Sequence, residues 1–331
     1  MTLATAHTIP LSSVATGKHT RMVSFENSNS FLKRHDSEGT LIIQAGYREN
    51  PSDAAHNDGE NPIVIIDGKT PRWYGPMACQ GAHTKSFELS KIETAREAFA
   101  ACLRPSDDGS DLIVIASYWD QRDFPSMEKA LKGQYRVIKN GNEIQCRVTQ
   151  VLTVLEGIGS YWDVENRLQP GQTFLLEIGF KTAEEWVIDE DGRVIDGRPV
   201  TQLGILNLVN AIANDPTVKA ALGDGDRSDS VNLSLISAGL QKPSIGRLSP
   251  ENWQAIKTKY ATEYFKSLKG YLKAQYGTQF QAMSNLILTG GGAALLESVK
   301  PEITQLFIIP NHPQTASVRG AYAHQMARVS A

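Results

Sequence analysis

Apolar and polar positions follow two different periods along the chain, which predicts a mixed α/β protein. Pro62 to Tyr74 is an apolar run, an Asp67-Gly68 turn and a second run, a pattern typical of a β-hairpin. Apolar residues from Lys91 to Cys102 recur at helical spacing, and the apolar run Leu112 to Ala116 follows them. This order indicates a helix packed on a central sheet.

The alternation of strand and helix continues in the next segment. Tyr135 to Val148 predicts a second hairpin that turns at Asn140-Gly141, and the spacing of apolar residues in 150–161 predicts a helix. Pro170 and Gly171 then interrupt the pattern just before a new strand. We therefore place a domain boundary there.

The two predicted domains are residues 1–165 and residues 166–331. The second domain opens with two apolar strands around a tight turn at Gly179 and a third strand after Asp191-Gly192, which predicts a β-meander. Amphipathic helices are predicted later in this half and at its end: Leu203 to Ile212, Asn252 to Leu272 and Ser317 to Arg328.

Length and composition narrow the class of protein. A chain of 331 residues favours two domains with a cleft over one core. The 33 basic and 36 acidic residues leave a net charge of −3, so no overall field attracts nucleic acid directly. No apolar stretch suits a membrane span, and the three cysteines lack zinc spacing. We expect a cytoplasmic protein with reduced thiols.

The sharpest local signal is NLILTGGGAALL, residues 285–296, where a buried strand ends in Gly290, Gly291 and Gly292 and a helix begins. Glycines there let backbone N–H groups approach an anion or a ribose, and the helix N-terminus adds partial positive charge. A plain tight turn between a strand and a helix is the other interpretation of this motif.

These elements together resemble the actin-like ATPases, and among them the plasmid-partition filament proteins of the ParM or StbA type. Leu288 to Leu296 resembles the adenosine-binding element of that family, and Gln314 to Ala327 resembles its last connecting helix. The order of elements in residues 112–160 also agrees. The resemblance implies an α/β fold of duplicated ribonuclease H-like domains around a nucleotide cleft, with the last helix packed on the first domain.

The resemblance also implies roles for individual residues. Glu177 stands where the family has an aspartate that positions a hydrated Mg²⁺ and the attacking water. Gln150 falls where the family has a residue that orients this water, so both are predicted as catalytic. Considered alone, Gln150 is a polar residue at a helix N-terminus, and Glu156 is an alternative whose spacing turns it away from Gln150. The predicted residues for ATP or GTP are Ser12, Ser13, Lys18, Gly179, Lys181, Thr182, Gly204, Gly290, Gly291 and Gly292.

The first phosphate turn departs from the family pattern. We place it in SSVATGKHT, residues 12–20, where hydroxyl groups and Lys18 are present but the expected aspartate is not. An ordinary polar hairpin would have the same composition. Because this carboxylate is missing, the sequence is also consistent with a slow or inactive ATPase.

The function implied by the resemblance is nucleotide-dependent assembly into filaments that segregate plasmids through a DNA-binding adaptor. Head-to-tail contacts that do not close into a ring would give such a filament. Two alternatives stay open: a small-molecule kinase on the same architecture, and a degenerate actin-like scaffold that does not hydrolyse nucleotide. The kinase would need a carboxylate base from the first domain, and Asp120 and Asp123 are weak candidates.

Overall fold

The chain divides into two compact units in its computed structural model. The first unit runs as far as Val164 and resumes at Thr315, and the second unit is Glu165–Gln314. The chain therefore passes between the units twice. The structure describes residues 19–28, 30–52, 55, 57–79, 91–222, 233–240, 242–299 and 301–330.

The first unit is built on a mixed β-sheet. Its strands are β1 (Thr20–Asn27), β2 (Phe31–Asp36), β3 (Gly39–Gln44), β4 (Tyr47–Glu49), β5 (Ile63–Ile66), β6 (Arg72–Tyr74), β7 (Asp111–Tyr118), β8 (Gly133–Lys139) and β9 (Asn142–Leu155). Within the described residues their order is β3-β2-β1-β7-β9-β8-β5-β6-β4. The central strands β1, β7 and β9 are parallel, and the other neighbours are antiparallel.

Both predicted hairpins of this unit are confirmed. Strands β5 and β6 pair across the Asp67-Gly68 turn, and β8 and β9 pair across Asn140-Gly141. All four turn residues have positive φ, between +50° and +81°. Asx-Gly pairs tolerate this backbone conformation, and its twist matches that of the flanking strands, which is why the dipeptides marked the turns correctly.

In the described part of the first unit, four α-helices cover this sheet. They are α1 (Lys91–Ala101), α2 (Phe124–Leu131), α3 (Ile158–Val164) and, from the end of the chain, α10 (Ala316–Ser330). The predicted apolar face of α1 is confirmed, because Ala95, Ala98 and Phe99 are buried in the core of the unit. Phe99 makes edge-to-face contacts with Phe25 of β1 and Tyr135 of β8, which fix the helix on the sheet.

The predicted helix at 150–161 is wrong over residues 150–155, and its last residues begin α3. Residues 150–155 extend β9, which pairs in parallel with β7 as far as Tyr118 opposite Leu155. The register shifts beside Leu112, and this irregularity interrupts the strict alternation of inward and outward positions. Buried Val148, Val151 and Leu155 are consequently three and four residues apart, a spacing that imitates one face of a helix.

The second unit has a smaller sheet and its own core. Its strands are β10 (Thr173–Ile178), β11 (Ala183–Ile188), β12 (Val194–Val200) and β13 (Asn285–Thr289). Its helices are α4 (Ile205–Ala213), α5 (Pro216–Leu222), α6 (Leu233–Gly239), α7 (Pro250–Tyr276), α8 (Gln279–Ala282) and α9 (Gly290–Val299). The predicted meander is confirmed as β10-β11-β12, and the predicted long helices correspond to α4 and α7. No helix in the described part of the chain is both long and apolar enough to cross a bilayer.

The two sheets share one topology. In the second unit the order is β12-β11-β10-β13, with β10 and β13 parallel and an isolated parallel bridge from Ile287 to Ile308 in the next position. In the first unit β3-β2-β1-β7-β9 has the same order and the same directions. Each unit therefore repeats one arrangement, in which a hairpin adjoins the parallel strands.

Helices α3 and α10 of the first unit touch through their backbones. A Cβ atom added to Gly320 would lie 1.8 Å from the carbonyl oxygen of Gly159, and one added to Gly159 would lie 1.9 Å from that of Ser317. Arg319 also donates to Asp163 at 2.6 Å. These contacts join the last helix to the first unit.

Candidate functional site

The first hairpin of each unit has the same register. Glu26 pairs with Lys33 across β1 and β2, and Glu177 pairs with Glu184 across β10 and β11. The next residue of each strand, Asn27 or Ile178, makes the last pair before the turn. Each turn is closed by the same backbone hydrogen bond, from Ser28 to Phe31 at 3.1 Å and from Gly179 to Thr182 at 2.9 Å. Glu26 and Glu177 are thus equivalent positions.

Glu177 lies where the sequence placed it, at the carboxyl end of a strand. It is buried in a row of three neighbours, with Thr289 on the parallel strand β13 and Glu184 on β11. Directly opposite residues bring their Cβ atoms to about 5 Å. Glu184 is also buried and accepts a hydrogen bond from the Thr182 hydroxyl at 2.8 Å. The second hairpin therefore places two acidic side chains together.

The glycine triplet begins α9 directly after β13, as predicted. Gly290 has φ +84°, and a Cβ atom there would lie 2.6 Å from the carbonyl oxygen of Ile178. A Cβ atom on Gly292 would lie 2.3 Å from the Ile178 side chain. Gly291 differs from both, because no atom of the described residues outside its own helical turn and chain neighbours lies within 4 Å of the Cβ position. Two glycines are thus explained by packing against β10, and Gly291 leaves space open at the helix start.

Gly204 packs against the turn of the second hairpin. A Cβ atom there would lie 2.2 Å from the Lys181 carbonyl oxygen. The first amides of α4 donate to this turn, from Ile205 to Gly179 at 3.1 Å and from Leu206 to Phe180 at 2.7 Å. The close approach that the sequence assigned to a ligand is made by the protein's own backbone. Binding of a cofactor by Gly204 stays a prediction.

Around the end of β10 the structure brings together most of the residues predicted in the second half. They are Glu177, Gly179, Thr182, Gly204, Gly290 and Gly292. Lys181 is exposed on the same turn. The carboxyl ends of parallel strands are the usual ligand-binding edge of an open α/β sheet, and here they are the ends of β10 and β13. Ser12, Ser13 and Lys18 lie outside the described residues.

Sequence reasoning missed the first hairpin. Glu26 is 1% exposed and forms an ion pair with Lys33, which is 5% exposed. Among the residues that the structure describes, the second carboxylate oxygen of Glu26 and the hydroxyl of Ser117 have no hydrogen-bond partner. Buried polar atoms are normally satisfied by protein, water or a ligand. A comparison of the two halves of the sequence offers a signal for this site, since Glu is the next-to-last residue of both β1 and β10.

Gln150 lies in the middle of β9 instead of at a helix start. It is level with Ile113 of β7, which is level with Met22 of β1. Met22 precedes Glu26 by about 13 Å of extended strand. The catalytic role of Gln150 stays a prediction, and its position in mid-strand argues against that role.

Glu156 occupies the edge that Gln150 does not reach. It follows the last residue of β9, and its amide donates to the Tyr118 carbonyl oxygen at 3.0 Å. Its side chain is buried, and both carboxylate oxygens accept from Lys91, at 2.7 and 2.6 Å. Burial raises the pKa of the nearby Tyr118 phenol, and the charge of Asp123 acts in the same direction. From the sequence, Glu156 was judged only by its spacing from Gln150 on a predicted helix that the structure does not contain there.

Neither a family model nor a curated protein sequence matches the chain. Solved structures do resemble it. Ta0583, an archaeal actin homolog, in complex with ADP has a TM-score of 0.71 at 18% identity, over 93% of this chain and 99% of that one. A 15-stranded ParM filament from Clostridium botulinum gives 0.72 at 13%, over 93% and 99%. Bacillus thuringiensis ParM with ATP gives 0.68 at 15%, over 95% and 100%.

These similarities confirm the predicted fold. The chain has the actin-like α/β fold, with its duplicated hairpin and parallel strands, and its structural likeness includes the ParM proteins that the sequence resembles. At such identities the likeness concerns the fold.

Proposed function

We propose that this chain binds a purine nucleoside triphosphate with Mg²⁺ and assembles into filaments. The observation that carries the proposal is the repeated hairpin, in which a buried glutamate is the next-to-last residue of the first strand in each unit. Both glutamates lie at carboxyl ends of parallel strands, the edge where open α/β sheets bind ligands. The resemblance to solved structures that hold ADP or ATP supports the same class of ligand.

The residues at these edges fit a triphosphate with its metal ion. Mg²⁺ prefers oxygen ligands and usually keeps several waters, and the described strand ends of the second unit offer buried carboxylate oxygens from Glu177 and Glu184. Gly291 gives a phosphate or ribose room beside the backbone of a helix N-terminus. In this proposal Glu177 and Glu184 hold water ligands of the metal, which when bound offsets the charge of the phosphates.

Hydrolysis, in this proposal, uses Glu156 to orient the attacking water. Phosphoryl transfer depends mainly on positioning and electrostatic stabilisation, so a fixed carboxylate at the correct edge suits the task. Asn27 connects this carboxylate to the first hairpin, since its amide donates to the Lys91 carbonyl oxygen at 3.0 Å. We expect Glu156→Gln to lower phosphate release about a hundredfold and to preserve nucleotide binding.

Filament assembly rests on the likeness to the Clostridium botulinum ParM filament. In a filament, identical subunits repeat one head-to-tail contact without closure into a ring. We propose that bound triphosphate favours the subunit state that assembles and that hydrolysis weakens the polymer. Segregation of plasmid copies through a DNA-binding adaptor is the role that the sequence resemblance implies.

Sedimentation and phosphate release together test the proposal. The purified chain is mixed with ATP or GTP, with Mg²⁺ or with a chelator, and the pelleted fraction and free phosphate are measured. Polymer with phosphate release supports the proposal. Polymer without phosphate release supports a scaffold that does not hydrolyse nucleotide, and phosphate release only with an added metabolite supports a kinase.

A matched pair of glycine variants tests the binding site itself. Gly291 and Gly270 are both helical, and both have an open Cβ position. Gly291→Val should reduce triphosphate affinity by at least tenfold, because the side chain fills the space at the start of α9. Gly270→Val, on α7, should bind like the wild type. Equal affinities in calorimetry would overturn the assignment of Gly291.

A further inference from the structure

The first turn of α1 contains Lys91, whose side chain contacts the proposed catalytic carboxylate of Glu156. We propose that Lys91 is a positioning residue: it fixes the direction of the Glu156 carboxylate and couples it to the first hairpin. The inference rests on the proposed function, because it assigns a role within that same site.

The contact between Lys91 and Glu156 is specific in geometry. One ammonium group donates to both carboxylate oxygens, at 2.7 and 2.6 Å. The Glu156 side chain is 6% exposed and that of Lys91 is 19% exposed, so solvent screens the pair little. A buried ion pair offsets its desolvation cost only with good geometry. Contact through both oxygens limits rotation of the carboxylate about its last bond.

Lys91 is itself held by the strand that leads into the first turn. The Asn27 side-chain amide donates to the Lys91 carbonyl oxygen at 3.0 Å and to the Thr94 hydroxyl at 3.1 Å. Asn27 is 3% exposed and follows Glu26 at the end of β1. One hydrogen-bonded chain thus runs from the hairpin through the start of α1 to Glu156.

This arrangement determines where Glu156 can accept a water molecule. Each carboxylate oxygen has about two lone-pair directions, and Lys91 takes the pair that faces it. The contact through both oxygens therefore fixes the directions in which the other lone pairs point. Without the lysine the carboxylate loses the charge and the orientation that Lys91 supplies, and a misplacement of about 1 Å can cost a hundredfold in rate.

The test compares variants in full-length protein with ATP and Mg²⁺. Lys91→Met should lower kcat for phosphate release at least tenfold and leave the nucleotide Kd within threefold. Lys91→Arg, which keeps the charge, should recover kcat to within about fivefold of the wild type. Lys132→Met is the matched control, since Lys132 makes only a looser 3.9 Å pair with Glu128 at an exposed position, and it should change neither constant.

A second arm separates positioning from general stability. If Lys91 acts through Glu156, adding Lys91→Met to Glu156→Gln should not lower kcat further. The inference is overturned if Lys91→Met retains wild-type kcat, if it lowers affinity as much as kcat, or if the double variant is additive. A wild type that binds ATP without releasing phosphate overturns the inference and leaves binding standing. A wild type that binds no triphosphate overturns both.

Discussion

The two first hairpins share a backbone and differ in charge. In the first unit Glu26 faces Lys33, and in the second unit Glu177 faces Glu184 at the equivalent pair. All four side chains are buried. The first hairpin pairs opposite charges at this position, whereas the second pairs like charges.

The same hairpin backbone therefore supports two different charge pairs. Opposite charges in a buried row attract each other, so the charge of Glu26 is balanced by Lys33 within the first hairpin. Like charges on directly opposite residues repel, so an added cation would stabilise the second hairpin. The proposed metal dependence therefore belongs to the second unit.

The largest expected effect is a difference in stability between two matched substitutions. Glu26→Gln removes the carboxylate that compensates buried Lys33 and should lower the free energy of unfolding by about 3 kcal/mol. Glu177→Gln removes one of two like charges and should change it by less than about 1 kcal/mol. Urea unfolding in chelator measures both. Equal losses would show that the charge difference has no energetic consequence.

A second comparison concerns how closely the second hairpin is held by the glycine triplet. Gly290→Ala must place a side chain at φ +84° and against the Ile178 carbonyl oxygen, which should cost about 2 kcal/mol or more. Gly291→Ala enters open space and should cost less than about 0.5 kcal/mol. Thermal unfolding distinguishes them. Similar losses would contradict the different environments of these neighbours.

Converting the second hairpin to the charge pattern of the first tests metal dependence directly. With the wild type, chelation of Mg²⁺ should weaken ATP binding about tenfold or more, because the paired carboxylates then repel the phosphates. Glu184→Lys should reduce that difference to less than about threefold. The exposed Glu190→Lys controls for net charge. If the two variants respond alike to chelator in calorimetry, Glu184 has no special part in metal handling.

The smallest expected effect is that of Gln150→Ala. Gln150 lies in mid-strand, away from the carboxyl end of β9 that Glu156 follows, so phosphate release should stay within about twofold of the wild type. A tenfold loss with unchanged folding would restore the role that the sequence predicted for this residue.

Turn chemistry made much of the fold predictable. Asp67-Gly68 and Asn140-Gly141 marked hairpins because few residues accept positive φ at both central positions. The glycine triplet after an apolar strand marked the start of α9. The strand that ends with Glu177 was predicted because it is apolar and its turn contains glycine, and the role of Glu177 came from the family resemblance.

The first hairpin was missed for an identifiable reason. Strand β2 reads FLKRHD, and hydropathy treats it as a solvated segment. Its charged residues are in fact buried, because they are paired: Arg34, 0% exposed, donates to Asp107 at 2.8 Å and to Asp36 at 2.7 Å. Asp107 lies 73 positions from Arg34 along the chain, so this pairing cannot be inferred from local periodicity. The turn before β2 also lacks glycine, the residue that marked the other hairpins.

The meeting of α3 and α10 has a consequence for how this sequence can diverge. Where two side chains clash, a second substitution elsewhere can relieve the first. At Gly159 and Gly320 the obstructing atoms belong to the main chain, which no substitution removes. A suppressor screen started from Gly320→Ala should therefore recover revertants to glycine and no compensating change at position 159. At this helix crossing, the backbone contacts require glycine at both positions.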